Sequence, residues 1–199
     1  MTADHYFSAR PASKSYPQPL KITLAGRAVT VTTAAGVFSG DRLDLGTSVL
    51  LDKVAPPPSS GVFLDVGCGW GPIALTMALL SPEAEIWAVD TNERALELTA
   101  LNANQLGLHN IKTALPQAVP EELRFDVIWS NPPIRIGKPE LHSLLQLWLG
   151  KLTTDGEAWL VVQRNLGADS LMEWLKAEFP TRDITRAASA KGYRVLEVH

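Results

Sequence analysis

Val62-Phe63-Leu64-Asp65-Val66-Gly67-Cys68-Gly69-Trp70-Gly71 is a short apolar run carrying one acid and broken by a glycine turn. A run of that length bounded by glycine reads as a buried strand, and the apolar residues through Leu80 read as the helix that follows it. The same order then repeats. Residues 86–90 form a second strand, followed by a helix over about 92–106 that Gly107 ends. Residues 110–114 are a weak third strand. Phe125–Ser130 is the fourth, with a helix over 139–149, and residues 157–162 are the fifth, with a helix over 168–179 closed by Pro180. Strands alternating with helices predict a parallel sheet covered on both faces. Two last strand-like runs, 183–187 and Tyr193–Val198, have no helix-length segment between them. They are expected to pair as a hairpin, which makes the last strand antiparallel.

Upstream, residues 10–19 hold Pro11, Pro17 and Pro19 and read as an extended arm. Residues 20–24 and 28–32 alternate around Ala25-Gly26-Arg27, a hairpin signature. A short helix near 47–54 is stopped by Pro56-Pro57-Pro58. The expected organisation is therefore an arm, hairpin and short helix over 1–58, packed on a main domain over 59–199.

The chain has 199 residues, enough for one α/β domain, and its 46% hydrophobic and 20% charged residues are ordinary for a soluble globular protein. Cys68 is the only cysteine, which excludes an internal disulfide, and His5, His109, His142 and His199 show no metal-ligand spacing, so no metal is expected. The N-terminus has neither a basic n-region nor an apolar h-region, and apolar stretches are interrupted well short of a membrane span. A cytoplasmic setting without a membrane partner is expected. The net charge of −3 argues against a wholly basic, nucleic-acid-coating surface. Its distribution is uneven, however. Residues 1–40 hold Arg10, Lys14, Lys21 and Arg27 against Asp4, whereas residues 83–126 hold eight acids and three bases. That asymmetry allows a locally basic face.

Spacing in the glycine loop narrows its ligand. A dinucleotide loop, G-x-G-x-x-G, would put its third glycine where Pro72 stands, and no Gly-Lys-Ser/Thr follows for a Walker loop. Asp65, inside the strand end, would repel phosphate and suits a cofactor with a cationic amino group. Asp90 ends the second strand, 25 residues later. In a doubly wound sheet an acid there can take both hydroxyls of a ribose. The competing role is a cap for the helix that begins near Asn92.

The run from Asp65 to Gly71 resembles motif I of class I S-adenosylmethionine-dependent methyltransferases. The resemblance implies a Rossmann-like seven-stranded, mostly parallel sheet with helices on both faces and an antiparallel last strand, here preceded by the N-terminal β-hairpin arm. It also implies that Gly67 and Gly69 pack under the methionine part of the cofactor, that Asp65 helps hold its amino group, and that Asp90 binds the ribose. Gly71, Thr91 and Asn92 join that cofactor set, and Cys68 sits at a variable position as a small buried filler.

Ser130-Asn131-Pro132-Pro133-Ile134 ends the fourth strand and matches the N-P-P-x motif of methyltransferases that act on planar nitrogen. An exocyclic amine conjugated to a ring, or an amide nitrogen, is a poor nucleophile because its lone pair is delocalised. The side-chain oxygen of Asn131 and the carbonyl of Pro132 can accept its N–H bonds and favour the charge developing on nitrogen. Pro132 and Pro133 fix the turn, so these acceptors are preorganised. An alkylated ammonium-like nitrogen loses its proton to water, and no general base is needed.

Together with Gly36-Val37-Phe38-Ser39, Asp44-Leu45-Gly46-Thr47, Arg135 and Lys191-Gly192-Tyr193-Arg194-Val195-Leu196, these motifs resemble the small-domain methyltransferase family from about residue 20 onward. That family includes the guanine-N2 methyltransferases of small-subunit ribosomal RNA. The resemblance puts Thr47 and Asn131 beside the cofactor and Asn131, Pro132, Pro133 and Ile134 at the reacting nitrogen.

Two departures stand out. Ile134 occupies a position that is aromatic in many base-modifying relatives, where it can stack on a flipped base. Residues 115–120 lack the acid that many relatives set near the adenine amino group, leaving Gln117 to offer an amide oxygen. Arg135, Lys138 and Arg164, near strand ends or the loops after them, are candidates for phosphate contacts. Trp87, Trp129, Trp148, Trp159 and Trp174 are expected to pack in the core, and Trp70 to touch the cofactor or cap the next helix.

The expected activity is methyl transfer to an exocyclic nitrogen, guanine N2 of ribosomal RNA, with ribosomal RNA or the small subunit as partner. Relatives can carry an extra RNA-binding domain, so specificity here is expected to come from the folded particle. The alternatives are methylation of a protein glutamine amide, or a cofactor-binding ribosome assembly module without catalysis.

Overall fold

Leu64, Val66, Ile128, Leu160 and Val162 pack into one buried cluster, while their strand neighbours Phe63, Val127, Trp129 and Val161 pack into another. That alternation is the period of two of a strand buried on both faces. A computed structural model describes residues 17–199. Its elements are β1 (Gln18–Leu24), β2 (Arg27–Thr33), α1 (Leu45–Lys53), β3 (Val62–Val66), α2 (Pro72–Leu80), β4 (Glu85–Val89), α3 (Glu93–Gln105), β5 (Ile111–Ala114), β6 (Phe125–Ser130), α4 (Lys138–Leu149), β7 (Leu152–Gln163), α5 (Ala168–Glu178), β8 (Ile184–Ala190) and β9 (Tyr193–Val198). The expected arm falls largely outside the described residues, along with Arg10, Lys14 and His5.

Seven strands form one sheet in the order β5-β4-β3-β6-β7-β9-β8. β3 runs parallel to β4 and β6, β4 to β5, and β6 to β7, whereas β9 is antiparallel to both β7 and β8. The expected α/β class and its antiparallel last strand are what the chain adopts. Leu141, Leu145 and Trp148 of α4 and Leu171 and Leu175 of α5 close one face. Val49 and Leu50 of α1 and Ile73, Ala74 and Met77 of α2 close the other.

β7 starts at Leu152, five residues before the expected 157. The missed part, Thr153-Thr154-Asp155, is polar and half-buried to exposed, so it carries no strand pattern of its own. It joins through the pairing of Leu152 with Phe125, beyond a register shift between Phe125 and Val127. β5 reads weakly because it is an edge strand with a neighbour on one side only.

β1 and β2 form a separate two-stranded sheet, joined at the Leu24–Arg27 pair by Ala25 and Gly26 at φ 48° and 73°. That is the turn whose twist matches a hairpin. The hairpin packs Leu24 and Val31 against Leu75 of α2 and Ala95 and Leu98 of α3, and one side chain clasps its backbone. Asn102 of α3 accepts the Thr32 N–H at 2.6 Å and donates to the Thr32 carbonyl at 2.9 Å, as a neighbouring strand would. It also donates to the Trp70 carbonyl at 2.9 Å, tying hairpin, helix and glycine loop together. No described helix is long and apolar enough to cross a membrane.

Candidate active site

Parallel strands leave their carboxyl ends on one edge of the sheet, and the loops there diverge to open a crevice. A cavity of about 350 Å³ opens at this edge, bounded by Gly67 after β3, Asp90 after β4, residues 131–135 after β6 and Gln163 at the end of β7. Because β9 is antiparallel, its first residue faces the same edge. Tyr193 is in register with Gln163 and also lines the cavity.

The glycine loop shapes this cavity but gives it few donors. The N–H groups of Gly67 and Cys68 both go to the Val89 carbonyl, at 2.8 and 3.1 Å, that of Gly69 to Asp90 Oδ2 at 3.0 Å, and that of Gly71 to the Cys68 carbonyl at 2.9 Å. A loop whose amides are taken up by the end of β4 and by its own Cys68 carbonyl is not the anion cradle of a phosphate site. Gly71 has φ 96°, and a Cβ there would meet Thr99 Oγ1 at 2.9 Å, so it serves close packing of the loop on α3 and lies off the cavity wall. Trp70 does not cap α2, and it lines a small pocket that shares Asp44, Gly67 and Asn131 with the cavity. It is buried, and its indole N–H donates to the Ser39 carbonyl at 3.1 Å.

Asp65 is fully buried beneath the loop. Its Oδ2 accepts the Ala74 N–H at 3.0 Å, in the first turns of α2, while Oδ1 has no partner among the described residues. Burial pushes this carboxyl up to about 8, against the Ala74 hydrogen bond and with help from the charge of Asp90. Asp90 lies in the cavity wall, and burial raises it too. Its Oδ1 accepts the Asn92 N–H at 2.9 Å and its Oδ2 the Gly69 N–H, so it knits the loop to the start of α3. The Thr91 N–H is a third backbone donor to this carboxylate, so of its roughly four lone-pair sites about one is left for a ligand hydroxyl. Thr91 is exposed at the rim. Asn92 caps α3 by accepting the Arg94 N–H at 3.0 Å and donates to the Gly36 carbonyl at 2.9 Å. Cys68 is buried below the cavity, where burial holds its thiol well above the usual range, so it is no nucleophile. Gln117 is exposed and outside the wall, to which Pro116 contributes instead.

Asn131 is oriented from behind. Its Nδ2 donates to Asp44 Oδ2 at 2.8 Å and to Thr47 Oγ1 at 3.0 Å. Both amide protons are thereby occupied, and a carboxylate can only accept, so the amide oxygen is the atom left for the cavity. Asp44 also caps α1, accepting the Thr47 N–H at 3.1 Å. The Pro132 carbonyl already accepts the Ile134 N–H at 2.9 Å, which closes the turn and leaves one lone pair. Ile134 and Arg135 line the cavity, whereas Lys138, at the start of α4, and Arg164, after β7, do not.

Asp44, Gly46 and Tyr193 were absent from the expected site. They meet at one point. A Cβ on buried Gly46 would lie 2.9 Å from the Tyr193 ring, 3.0 Å from Asp44 Oδ2 and 3.3 Å from Asn131 Nδ2. The phenol is raised by burial and by the charge of Asp44, with Arg135 opposing. An antiparallel last strand already implied that residue 193 would return to this edge. The Asp44–Asn131 bond, across 87 residues, had no local signal.

The donor set fits a cofactor that brings a cation and hydroxyls rather than phosphates. Asp65 keeps an orphaned oxygen, Asp90 keeps a lone pair toward the cavity, and the loop has no spare amide among those traced above.

A family model described as methyltransferase small domain matches residues 28–197. The chain belongs to this family. Membership carries the enzyme class expected from the motifs, an S-adenosylmethionine-dependent methyltransferase. The small-domain chain is 36% identical over 98% of its length to YbxB of Bacillus subtilis, described as uncharacterised, and covers 98% of that protein. It is 31% identical to ribosomal RNA small subunit methyltransferase C of Pseudomonas entomophila, over 98% of this chain and 58% of the relative. A solved T. thermophilus 16S rRNA N2 G1207 methyltransferase, in complex with AdoMet and guanosine, shares the fold at a TM-score of 0.78 and 22% identity, over 95% of this chain and 52% of that one. The chain thus spans little more than half the length of these two ribosomal RNA methyltransferases.

Proposed function

We propose that this small-domain methyltransferase transfers a methyl group to an exocyclic nitrogen, guanine N2 of small-subunit ribosomal RNA. The observation that carries the reading is the anchored amide of Asn131. With both its protons held by Asp44 and Thr47, its oxygen is the acceptor offered to the cavity. That suits a substrate atom that donates N–H, such as an amine conjugated to a ring. The names and targets of the ribosomal RNA relatives support guanine N2 within this class.

S-adenosylmethionine, when bound, would supply a methyl carbon on a cationic sulfur able to leave with the bonding pair as neutral S-adenosylhomocysteine when the nitrogen lone pair forms the new bond. The chain's part is alignment and electrostatics. Asp90 takes a ribose hydroxyl and Asp65 answers the positive methionine end through its field. Gly67 and Gly69 leave room there, Cys68 and Gly71 support the loop from beneath, and Thr47, Thr91 and Asn92 complete the cofactor side, with Pro116 in the wall where Gln117 was expected. Asn131 and the remaining lone pair of Pro132 accept the two N–H bonds of the amine and draw its nitrogen pair out of conjugation. Pro133 holds the turn and Ile134 packs on the ring. Arg135 at the cavity, with Lys138 and Arg164 beyond it, faces the phosphates. The proton released from the methylated nitrogen goes to water.

Replacing Asn131 by Ala removes one acceptor from the transition state and should lower kcat by roughly 10²- to 10³-fold while cofactor binding persists. Mass spectrometry of ribosomal RNA from a deletion strain should show an N2-methylguanosine missing. An unchanged nucleoside profile there sinks the proposed acceptor and turns attention to glutamine amides of proteins.

A further inference from the structure

On a chain of net charge −3, Arg164, Arg186, Lys191 and Arg194 line a single open cleft of about 410 Å³, with no carboxylate among its walls. They converge from three places: the turn after β7, the edge strand β8 with its turn, and the start of β9. Arg194 is paired with Asp169 of α5. Arg164, Arg186 and Lys191 are exposed and form no ion pair with a described residue. Lys191 is sensed by Asp52 of α1, whose own partner is Lys53.

Charges on an edge strand often serve only to block strand addition. That role would place them along β8, not on Arg164, whose N–H donates to the Gly192 carbonyl at 2.8 Å and brings the turn after β7 against the hairpin. A register shift between Arg186 and Ala188 also interrupts the β8 ladder, and such a bulge re-aims the side chains beside it.

The cleft is joined to the active site. Tyr193 is a wall of both, so whatever lies in the cleft continues past its ring toward Asn131. The geometry points to this cleft as the seat of the phosphodiester backbone of the RNA whose base enters the active-site cavity. The inference rests on the RNA reading above and assigns the strand's path. The backbone crosses the β8–β9 turn, its phosphates face Arg164, Arg186 and Lys191, and the target nucleotide turns in at Tyr193. Free cations on a concave track beside a base-sized opening are what a single strand needs for non-specific grip.

The test uses the full chain and the variant Arg164→Gln/Arg186→Gln/Lys191→Gln, with Arg194 left in its ion pair. Binding of a labelled single-stranded RNA of mixed sequence is followed by anisotropy across a KCl series, and cofactor affinity and thermal unfolding serve as controls. Each lost phosphate contact removes about 0.7 from the slope of log affinity against log salt, so the triple variant should lose about 2 with the controls unchanged. An unchanged slope in the triple variant, with a wild-type chain that methylates RNA, overturns the cleft and leaves the proposed acceptor standing. A wild-type chain that modifies no RNA overturns both. Poly-glutamate that displaces the RNA as well as competitor RNA does, at equal charge, overturns the cleft in favour of an acidic peptide.

Discussion

Asp65 sits where a charge is hardest to hold, and its behaviour can be worked out from burial alone. The folded chain keeps it protonated up to about pH 8, whereas in the unfolded chain it ionises near 4. Between those values the native state holds a proton that the unfolded state has lost. Stability therefore falls as pH rises from about 4 to about 8 and levels off above that. Asp90 is shifted in the same direction and adds to the slope. Urea unfolding from pH 5 to 9 should show the decline, and Asp65→Asn, which keeps an acceptor for Ala74, should flatten it. A cationic methionine end beside Asp65 favours the carboxylate, so cofactor binding near neutral pH should release up to about one proton. Calorimetry in buffers of different ionisation enthalpy reads that proton. A second residue-scale test concerns Gly46. The added methyl of Gly46→Ala would press on the Tyr193 ring, Asp44 and the Asn131 amide together. We expect kcat to fall by an order of magnitude or more while α1 still forms, since a displaced acceptor is costly. A variant with unaltered kcat would show that the amide needs no such support.

At the scale of elements, the hairpin and the last strand decide the shape of the site. The hairpin depends on Asn102, which pairs with both backbone groups of Thr32. Asn102→Ala leaves those groups and the Trp70 carbonyl short of a partner, at a cost of about 1–3 kcal/mol. Hydrogen exchange over 18–33 should quicken first, with the glycine loop following. An Asn on a helical face reads in sequence as ordinary surface, so this clasp was invisible there. The strands with continuous apolar runs, such as Phe125–Ser130, were legible because burial on both faces writes itself into composition. The polar start of β7 was not, because only its pairing partner makes it a strand. Likewise the motif from Asn131 to Ile134 announced itself, whereas Tyr193 needed the antiparallel return of β9 to reach it.

Across the whole molecule, one sheet separates two apolar clusters, and the candidate site opens on its carboxyl edge. The sequence pattern was enough for this layout, since strand and helix order with a final hairpin leaves few arrangements of the sheet. What it did not carry is how the loops of that edge bind one another. The amides of the glycine loop close on Val89, Cys68 and Asp90, and a carboxylate from before α1 crosses to Asn131. These are contacts between segments far apart in the chain, chosen by packing rather than by local spacing. The same distance explains the charge pattern. The cations of the cleft come from residues 164–194, whereas the basic excess read in the sequence was in residues 1–40, of which Lys21 and Arg27 are described and do not line it.

Asn131 is followed directly by Pro132. The usual way an asparagine ages is attack on its side-chain amide by the next backbone nitrogen, which closes a succinimide ring and ends in aspartate. Proline's nitrogen carries no hydrogen and cannot make that attack. Conversion to aspartate would be ruinous here, for it would set a second carboxylate against Asp44 where an amide donor now stands. The proline that shapes the turn therefore also protects the amide from chemical decay over the lifetime of the protein.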